Sequence, residues 1–316
     1  MQKADRMHGT FEVTIEKLVY GGMGFARREG KVVFVPFSVP GDRVRVRPVE
    51  EKKTFVRADI VRLLQAGEGR RDPACPHFGS CGGCHWQQLD YPLQVEAKRR
   101  ILEEALRHRF PETGALPVVM HPCPQPLAYR SRARVRLVGT GPKAAVGFYR
   151  HKSHAIEDIE SCPLLRPSLN EALGTLRQYR IKADTDAAPQ EMDIACSEEE
   201  GTWATERAGA SPAQPGVPLP GTRPPDDVIL RRSVNGFSYA VTARSFFQAN
   251  DFMVGELAAL VEELSAGGGS GPAIDLFAGV GLFSLPLARG HETVDAVEMS
   301  APSSRLCAIN AAAAGL

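Results

Sequence analysis

From residue 10 to residue 64, apolar and polar side chains alternate in the two-residue rhythm of strands that bury one face. Phe11, Val13 and Ile15 share a side, a turn at Gly21, Gly22 and Gly24 follows, and residues 31–37 form a second apolar run. A further turn at Pro40, Gly41 and Asp42 leads into alternating arginines and valines at 43–47 and a last strand at 56–63. Five short strands with tight turns between them predict a small closed β-barrel of the OB type.

At Pro92 the period lengthens. Leu93, Val95, Ile101, Leu102 and Leu106 make the apolar stripe of a helix over 92–109, with Lys98, Arg99 and Arg100 among its polar positions. Period two returns at Tyr129, and a hairpin is expected through residues 139–142 to Tyr149. Residues 197–227, rich in Pro, Gly, Ser and acids and poor in aliphatics, read as a flexible insertion. Beyond it the pattern predicts strands at 228–232 and 237–241, a helix at 251–264, a strand at 273–277, a helix starting near Leu282 and a strand at 293–297.

The chain is therefore expected to be a multidomain α+β protein. An OB-like barrel occupies 8–66, a β-rich central domain 67–235, and the start of a Rossmann-like α/β domain 236–316. The helix at 92–109 is a candidate to pack on that last domain.

Net charge is only +1, but residues 1–160 hold 27 Lys and Arg against 18 Asp and Glu, while residues 161–316 hold 11 against 19. A basic front half points to nucleic acid. Arg43, Arg45 and Arg47 alternate with valines and share one strand face, and Arg130, Arg132, Arg134 and Arg136 form a second stripe in period two. Both stripes are candidate RNA phosphate contacts. No apolar run approaches the ~18–20 residues of a membrane span, and the N-terminus lacks the apolar stretch of a signal peptide. A cytoplasmic location is expected, and 7 cysteines in such a chain argue for thiol or metal chemistry over a disulfide framework.

Cys75, Cys81 and Cys84 fall within ten residues on a Gly- and Pro-rich loop able to wrap one centre. Cys162, followed by Pro163, is the best candidate for the fourth thiolate that iron–sulfur clusters and structural zinc commonly require. Five residues separate Cys75 from Cys81, wider than a zinc knuckle, which favours a [4Fe–4S] cluster over zinc or buried free thiols. Cys123, Cys196 and Cys307 read as small core residues.

A nucleotide site is the last feature. Asp275 ends an apolar strand, and Gly279 and Gly281 let the backbone turn tightly toward a ligand before a helix begins. Ser284 stands where a dinucleotide fingerprint has its third glycine, so a pyrophosphate is not implied. The next strand ends at Glu298, whose carboxylate can bind both hydroxyls of a ribose.

In this order the pieces resemble the RNA 5-methyluridine methyltransferase family, across nearly the whole chain. The barrel looks like a TRAM domain, Cys75, Cys81, Cys84 and Cys162 match the family's [4Fe–4S] ligands, and the stretch from Cys84 to Tyr91 is similar to the family's post-cluster run. The run from Ser245 to Asn250 matches the motif whose Gln contacts the cofactor, here Gln248. The run from Asp275 to Gly281 matches the cofactor loop, with Phe277 at a contacting position, and Glu298 matches the ribose-binding acid. Leu282 stands where some members have Asn.

The resemblance implies S-adenosylmethionine and a [4Fe–4S] cluster as cofactors, ribosomal or transfer RNA as partner, and a monomer. The implied chemistry is covalent: a cysteine thiolate adds to uracil carbon 6, the enolate takes the methyl group at carbon 5, and a base removes the carbon-5 proton. The target base must first leave its RNA structure. The family's later motifs, Asp-Pro-Pro-Arg and Ser-Cys-Asn-Pro with the nucleophile, and the base Glu have no counterpart before Leu316. No catalytic residue is assigned, and a C-terminally truncated enzyme is expected, whose exposed sheet edges and apolar surface predict poor solubility or partial disorder after about residue 265. The alternative is a non-catalytic RNA-binding module or inactive fragment of such an enzyme.

Overall fold

The alternation at 10–64 folds as six strands, not five. They are β1 (Phe11–Thr14), β2 (Lys17–Val19), β3 (Met23–Arg28), β4 (Lys31–Val35), β5 (Arg43–Glu51) and β6 (Phe55–Gln65). The extra strand arises because the chain changes partners after Ile15: the Ile15 amide donates to Asp42 at 2.8 Å, whereas the Glu16 amide donates to Phe25 at 2.8 Å. The strands lie in the order β1-β5-β6-β4-β3-β2, antiparallel except for the parallel β4–β6 pair. Val33, Val35, Val44, Val46 and Ala58 are fully buried on the inner face, with Val13, Ile15, Ala26 and Val56 completing its core. Asp42 closes the turn before β5, accepting from the Val39 amide at 2.6 Å and the Gly67 amide at 2.9 Å while pairing with Arg70 at 2.7 Å.

These coordinates come from a computed structural model that describes residues 9–114, 116–183, 189–197, 201–206 and 229–316. They divide into two units, one reaching Pro122 and including Arg150–Ser153, the other formed by Cys123–Tyr149 and His154–Leu316. In the first unit α1 (Tyr91–Arg109) starts with Pro at its first turn, where the missing amide costs nothing. Its stripe, Leu93, Ala97 and Ile101, is spent inside that unit on Leu18, Val39 and Leu89.

The second unit contains a five-stranded sheet in the order β11-β10-β7-β8-β9. Its strands are β7 (Arg132–Val138), β8 (Ala145–Tyr149), β9 (Ile156–Asp158), β10 (Gln190–Ser197) and β11 (Gly201–Glu206). Helix α2 (Pro167–Ile181) lays Leu169, Leu173 and Leu176 against Val135, Leu137, Val146 and Ile194. Strand β11 corrects the expectation of an insertion over 197–227: β-favouring Thr202, Trp203 and Thr205 register against Cys196, Ala195 and Asp193. The rest of that segment, 198–200 and 207–227, lies outside the described residues.

A hairpin of β12 (Leu230–Val234) and β13 (Phe237–Val241) turns at Asn235 and Gly236, whose φ values of 49° and 85° suit the Asn-Gly turn. Then follow α3 (Val254–Ala266), β14 (Ala273–Leu276), α4 (Ser284–Leu287), β15 (Val294–Val297) and α5 (Ala301–Ala313). Strands β14 and β15 pair in parallel with Asp275 opposite Ala296, so α4 and its flanking loops form the crossover. Among the described residues no helix is long and apolar enough to cross a membrane.

Candidate functional site

The loop after β14 is shaped by its backbone. Phe277 sits at φ 64°, a left-handed conformation unusual for an aromatic residue, and its ring is 92% exposed. Gly279 (φ 59°) and Gly281 (φ 90°) continue the turn, but for different reasons. A Cβ on Gly279 would meet nothing within 4 Å, whereas one on Gly281 would lie 2.9 Å from the Cys307 sulfur and 3.0 Å from Leu285 Cδ1. Gly281 is thus a packing requirement, and Gly279 leaves its side of the loop open.

Glu298 follows β15 and faces this loop. Its Oε2 accepts the Gly279 amide at 2.9 Å and its Oε1 the Ser300 amide at 2.7 Å. Asp275, by contrast, is buried and accepts the Ser284 hydroxyl at 2.6 Å, fixing the start of α4 to the end of β14. Cys307, on α5, is buried, and burial pushes its thiol above the usual range.

The segment carrying Gln248 stands on the same foundation. Phe247, its neighbour, is buried in one cluster with Val280, Leu282, Leu285 and Leu306 from the loop and its helices. Asn310 ties β13 to the loop: its side chain accepts the Ala240 amide at 2.6 Å and donates to the carbonyl of Val280 at 2.8 Å. Tyr239 adds a hydroxyl bond to the carbonyl of Leu282 at 3.1 Å. The Gln248 segment is also stitched to the entry of β7, since the Ser131 amide donates to Ala249 at 3.0 Å and the Asp251 amide to Tyr129 at 3.1 Å.

Arg132 completes that seam. Its guanidinium donates to the carbonyl of Ser245 and lies over the Phe247 ring at 5.8 Å, while its Nε is buried without a hydrogen-bond partner. Burial first, and then repulsion from Arg232, push its pKa down to about 10. The rest of this stripe is charge-compensated: Arg134 bonds Asp193 at 2.9 Å, and Arg136 bonds Glu191 at 2.6 Å beneath the Tyr149 ring. Arg130 is half-buried, its backbone bridging Leu164 and Arg166 at 2.9 Å each. Arg132, Arg134 and Arg136 do share the strand face opposite buried Ala133, Val135 and Leu137, with Arg134 exposed, and each is engaged by a neighbouring group. On β5 the alternation is as expected, with Arg43, Arg45 and Arg47 exposed and the valines between them buried; Arg45 bonds Glu12 at 2.8 Å.

Cys75, Cys81 and Cys84 share a loop of the first unit, and one side chain spans it: Gln87 accepts the Cys75 amide at 3.1 Å and donates to the Cys84 sulfur at 3.2 Å. Cys162 belongs to the second unit, where Asn170 accepts its amide at 2.8 Å. All four are half-buried and none forms a disulfide. Among the described residues no group of three or more His, Cys, Asp or Glu side chains is gathered to hold a metal ion, so the expected four-cysteine centre has no preformed donor set.

Comparison with known proteins gives these parts a context. Residues 11–66 match the family model described as the TRAM domain of tRNA (uracil(54)-C(5))-methyltransferase. The chain is 32% identical to the 23S rRNA (uracil(1939)-C(5))-methyltransferase RlmD of Dechloromonas aromatica, over 96% of this chain and 76% of that protein. It is 34% identical to RlmD of Pectobacterium carotovorum, over 90% of this chain and 68% of that protein. The chain belongs to the RNA (uracil-C5)-methyltransferase family. The fold of the family is shared as well: the crystal structure of Pyrococcus abyssi tRNA (uracil-54, C5)-methyltransferase in complex with S-adenosyl-L-homocysteine superimposes with a TM-score of 0.68 at 24% identity, covering 96% of this chain and 77% of that one.

Within this family member, sequence reasoning missed Asn310, Ser284 and the inward role of Arg132. Asn310 had a readable signal, a lone amide in the otherwise apolar stretch from Ala308 to Ala314. Such a residue is either exposed or, as here at 1% exposure, a buried hub.

Proposed function

We propose that this chain binds S-adenosylmethionine in the second unit and RNA on the barrel strands, as parts of an enzyme that methylates carbon 5 of uridine. The observation that carries the reading is the carboxylate of Glu298 at the mouth of the Gly279 loop. A carboxylate offers about four acceptor positions, and among the described residues two backbone amides engage this one, so it retains capacity for ribose hydroxyls. The open side of Gly279 leaves room for the nucleoside, the exposed Phe277 ring offers an apolar surface to its base, and Gln248 stands next to Phe247, which packs against the loop. The strand–helix–strand unit is read as the opening of a Rossmann-like domain, and the six-stranded sheet as an OB-like barrel.

The cofactor, when bound, supplies the methyl group; these residues hold and orient it. No proton-transfer or nucleophilic role is given to any residue of this chain. Ribosomal RNA is the favoured substrate class, because relatives at 32% and 34% identity are named for it, while the transfer-RNA enzyme is a likeness of fold. The reading of Cys75, Cys81 and Cys84 as iron–sulfur ligands rests on their spacing alone.

The test is incubation of the chain with methyl-labelled cofactor and unmodified 23S ribosomal or transfer RNA, alongside direct titration with S-adenosylhomocysteine. Label in 5-methyluridine of ribosomal RNA is the expected result. Binding of both ligands without transfer would instead identify a non-catalytic RNA-binding module, and absence of cofactor binding would overturn the assignment of Glu298.

A further inference from the structure

The outer face of the six-stranded sheet carries an aromatic row that no core explains. Phe25 on β3, Phe34 on β4 and Phe55 on β6 stand on adjacent strands, with ring centroids 6.4 Å and 5.9 Å apart and edges turned toward one another. Their neighbours in sequence, Gly24, Ala26, Val33, Val35 and Val56, point into the barrel core, so the three rings point out. None of the three belongs to any of the buried clusters. An outward sheet face is ordinarily polar, and three half-exposed phenylalanines there leave apolar surface facing water.

Cations border the row. Lys17 Nζ and the Arg27 guanidinium lie 5.3 Å and 5.1 Å from the Phe25 centroid, and Arg57 lies 5.5 Å from that of Phe55. Each is paired with an exposed acid, Glu104, Glu16 and Glu50 respectively, in the kind of solvated ion pair that gives way readily to a stronger anion. Across β6, register sets Arg47 opposite Asp59 and Phe34 opposite Arg57, so an arginine and a ring flank the same strand on the same face. By strand spacing and the two-residue offset along β6 they are about 12 Å apart. Among the described residues Arg47 and Arg62 have no ion-pair partner within 4.0 Å. Residues 9–66 hold 11 Lys and Arg against 7 Asp and Glu, an excess that favours an anionic partner.

We propose that this face binds an unpaired stretch of RNA, with bases on the row Phe25–Phe34–Phe55 and phosphates on Arg47 and Arg62. The inference rests on the RNA reading above and narrows it: the partner is single-stranded, because only unstacked bases present their faces to aromatic side chains. A duplex would meet the arginines alone. The row is tolerant of sequence, since every base has a stacking face.

The experiment measures fluorescence anisotropy of the full chain with a labelled single-stranded RNA of about eight nucleotides and with a labelled RNA hairpin duplex. Phe34→Leu keeps apolar bulk on the strand and removes the ring; it is expected to weaken single-strand binding at least about five-fold and to leave duplex binding unchanged. Phe34→Trp is expected to bind the single strand at least as tightly as the parent, which guards against a folding artefact in the leucine variant. Equal affinity of Phe34→Leu and parent, or an equal loss for single strand and duplex, would overturn the row as a stacking platform while leaving RNA binding intact. A parent chain that binds neither RNA overturns this inference and the RNA reading together.

Discussion

Glu298 Oε2 accepts the amide of Gly279 at 2.9 Å, so the acid at the end of the second cofactor strand holds the loop that follows the first. Its other oxygen holds Ser300 at 2.7 Å, and the carboxylate is thereby aimed before any ligand arrives. Glu298→Gln preserves size and one acceptor but removes the charge. A hydrogen bond to a charged group is worth about 1.5–3 kcal/mol, so S-adenosylhomocysteine should bind at least about tenfold more weakly by isothermal titration calorimetry. An unchanged affinity would detach Glu298 from the ribose.

The two glycines of the loop predict opposite phenotypes. Gly281→Ala drives a methyl group to 2.9 Å from the Cys307 sulfur and 3.0 Å from Leu285, at φ 90°. Overpacking of this kind costs about 1–3 kcal/mol, visible as a lowered Tm. Gly279→Ala meets no atom, so it bears only left-handed strain of about 1–2 kcal/mol, but its methyl enters the open side assigned to the ligand. Loss of cofactor affinity should exceed loss of stability at Gly279, and the reverse should hold at Gly281.

Much of this architecture is legible in the sequence, and the failures share a cause. Strand β5 shows its alternation because one face is buried and the other solvated. Strand β10 is buried on both faces from Met192 onward, so it carries no alternation to read. Helix α2 does carry a stripe, Leu169, Leu173 and Leu176, and a first-turn proline, and was readable. Period two correctly put Arg132, Arg134 and Arg136 on alternate positions of β7, but a period cannot tell whether a face looks at water or at another segment. Here the Ser245 carbonyl takes the Arg132 donor, and Asp193 and Glu191 pair with Arg134 and Arg136, while Arg134 stays exposed.

That distinction is testable by salt dependence. Arg47→Ala should lower the slope of log affinity for single-stranded RNA against log salt by about 0.7, the share of one phosphate contact. Arg132→Met should leave the slope unaltered, because its donor is committed to the Ser245 carbonyl. It should instead weaken S-adenosylhomocysteine binding by loosening the Gln248 segment, with partial recovery in Arg132→Lys. A fall in slope for Arg132→Met would return that residue to the RNA face.

On α1 the carboxyl of Glu96 is lowered to about 2, first by its hydrogen bond to Arg99 and then by that to Arg100. A carboxyl whose folded pKa lies below the unfolded one contributes stability above the unfolded value of 4.5, and that contribution is lost as pH falls through about 2. The side-chain carbonyl resonance of Glu96 should titrate well below the ordinary carboxylate range. In Arg99→Gln its midpoint should move up toward the ordinary range. The pair is solvated, so the helix itself should change little in circular dichroism.

The cysteines separate by accessibility and, on the cluster reading, by what protects them. Cys196 and Cys307 are buried and burial raises both thiols, so in metal-free protein near neutral pH they should alkylate slowly. Cys75, Cys81, Cys84, Cys123 and Cys162 are half-buried and should react quickly. Anaerobic treatment with iron and sulfide should then protect Cys75, Cys81 and Cys84, leave Cys123 reactive, and produce the broad visible absorption of an iron–sulfur chromophore. Peptide mapping by mass spectrometry reads each site independently of catalysis. Protection by zinc alone, with no visible chromophore after iron and sulfide, would replace the cluster with a structural zinc site. Continued labelling of all five thiols would show that the spacing of Cys75, Cys81 and Cys84 serves the loop and not a metal.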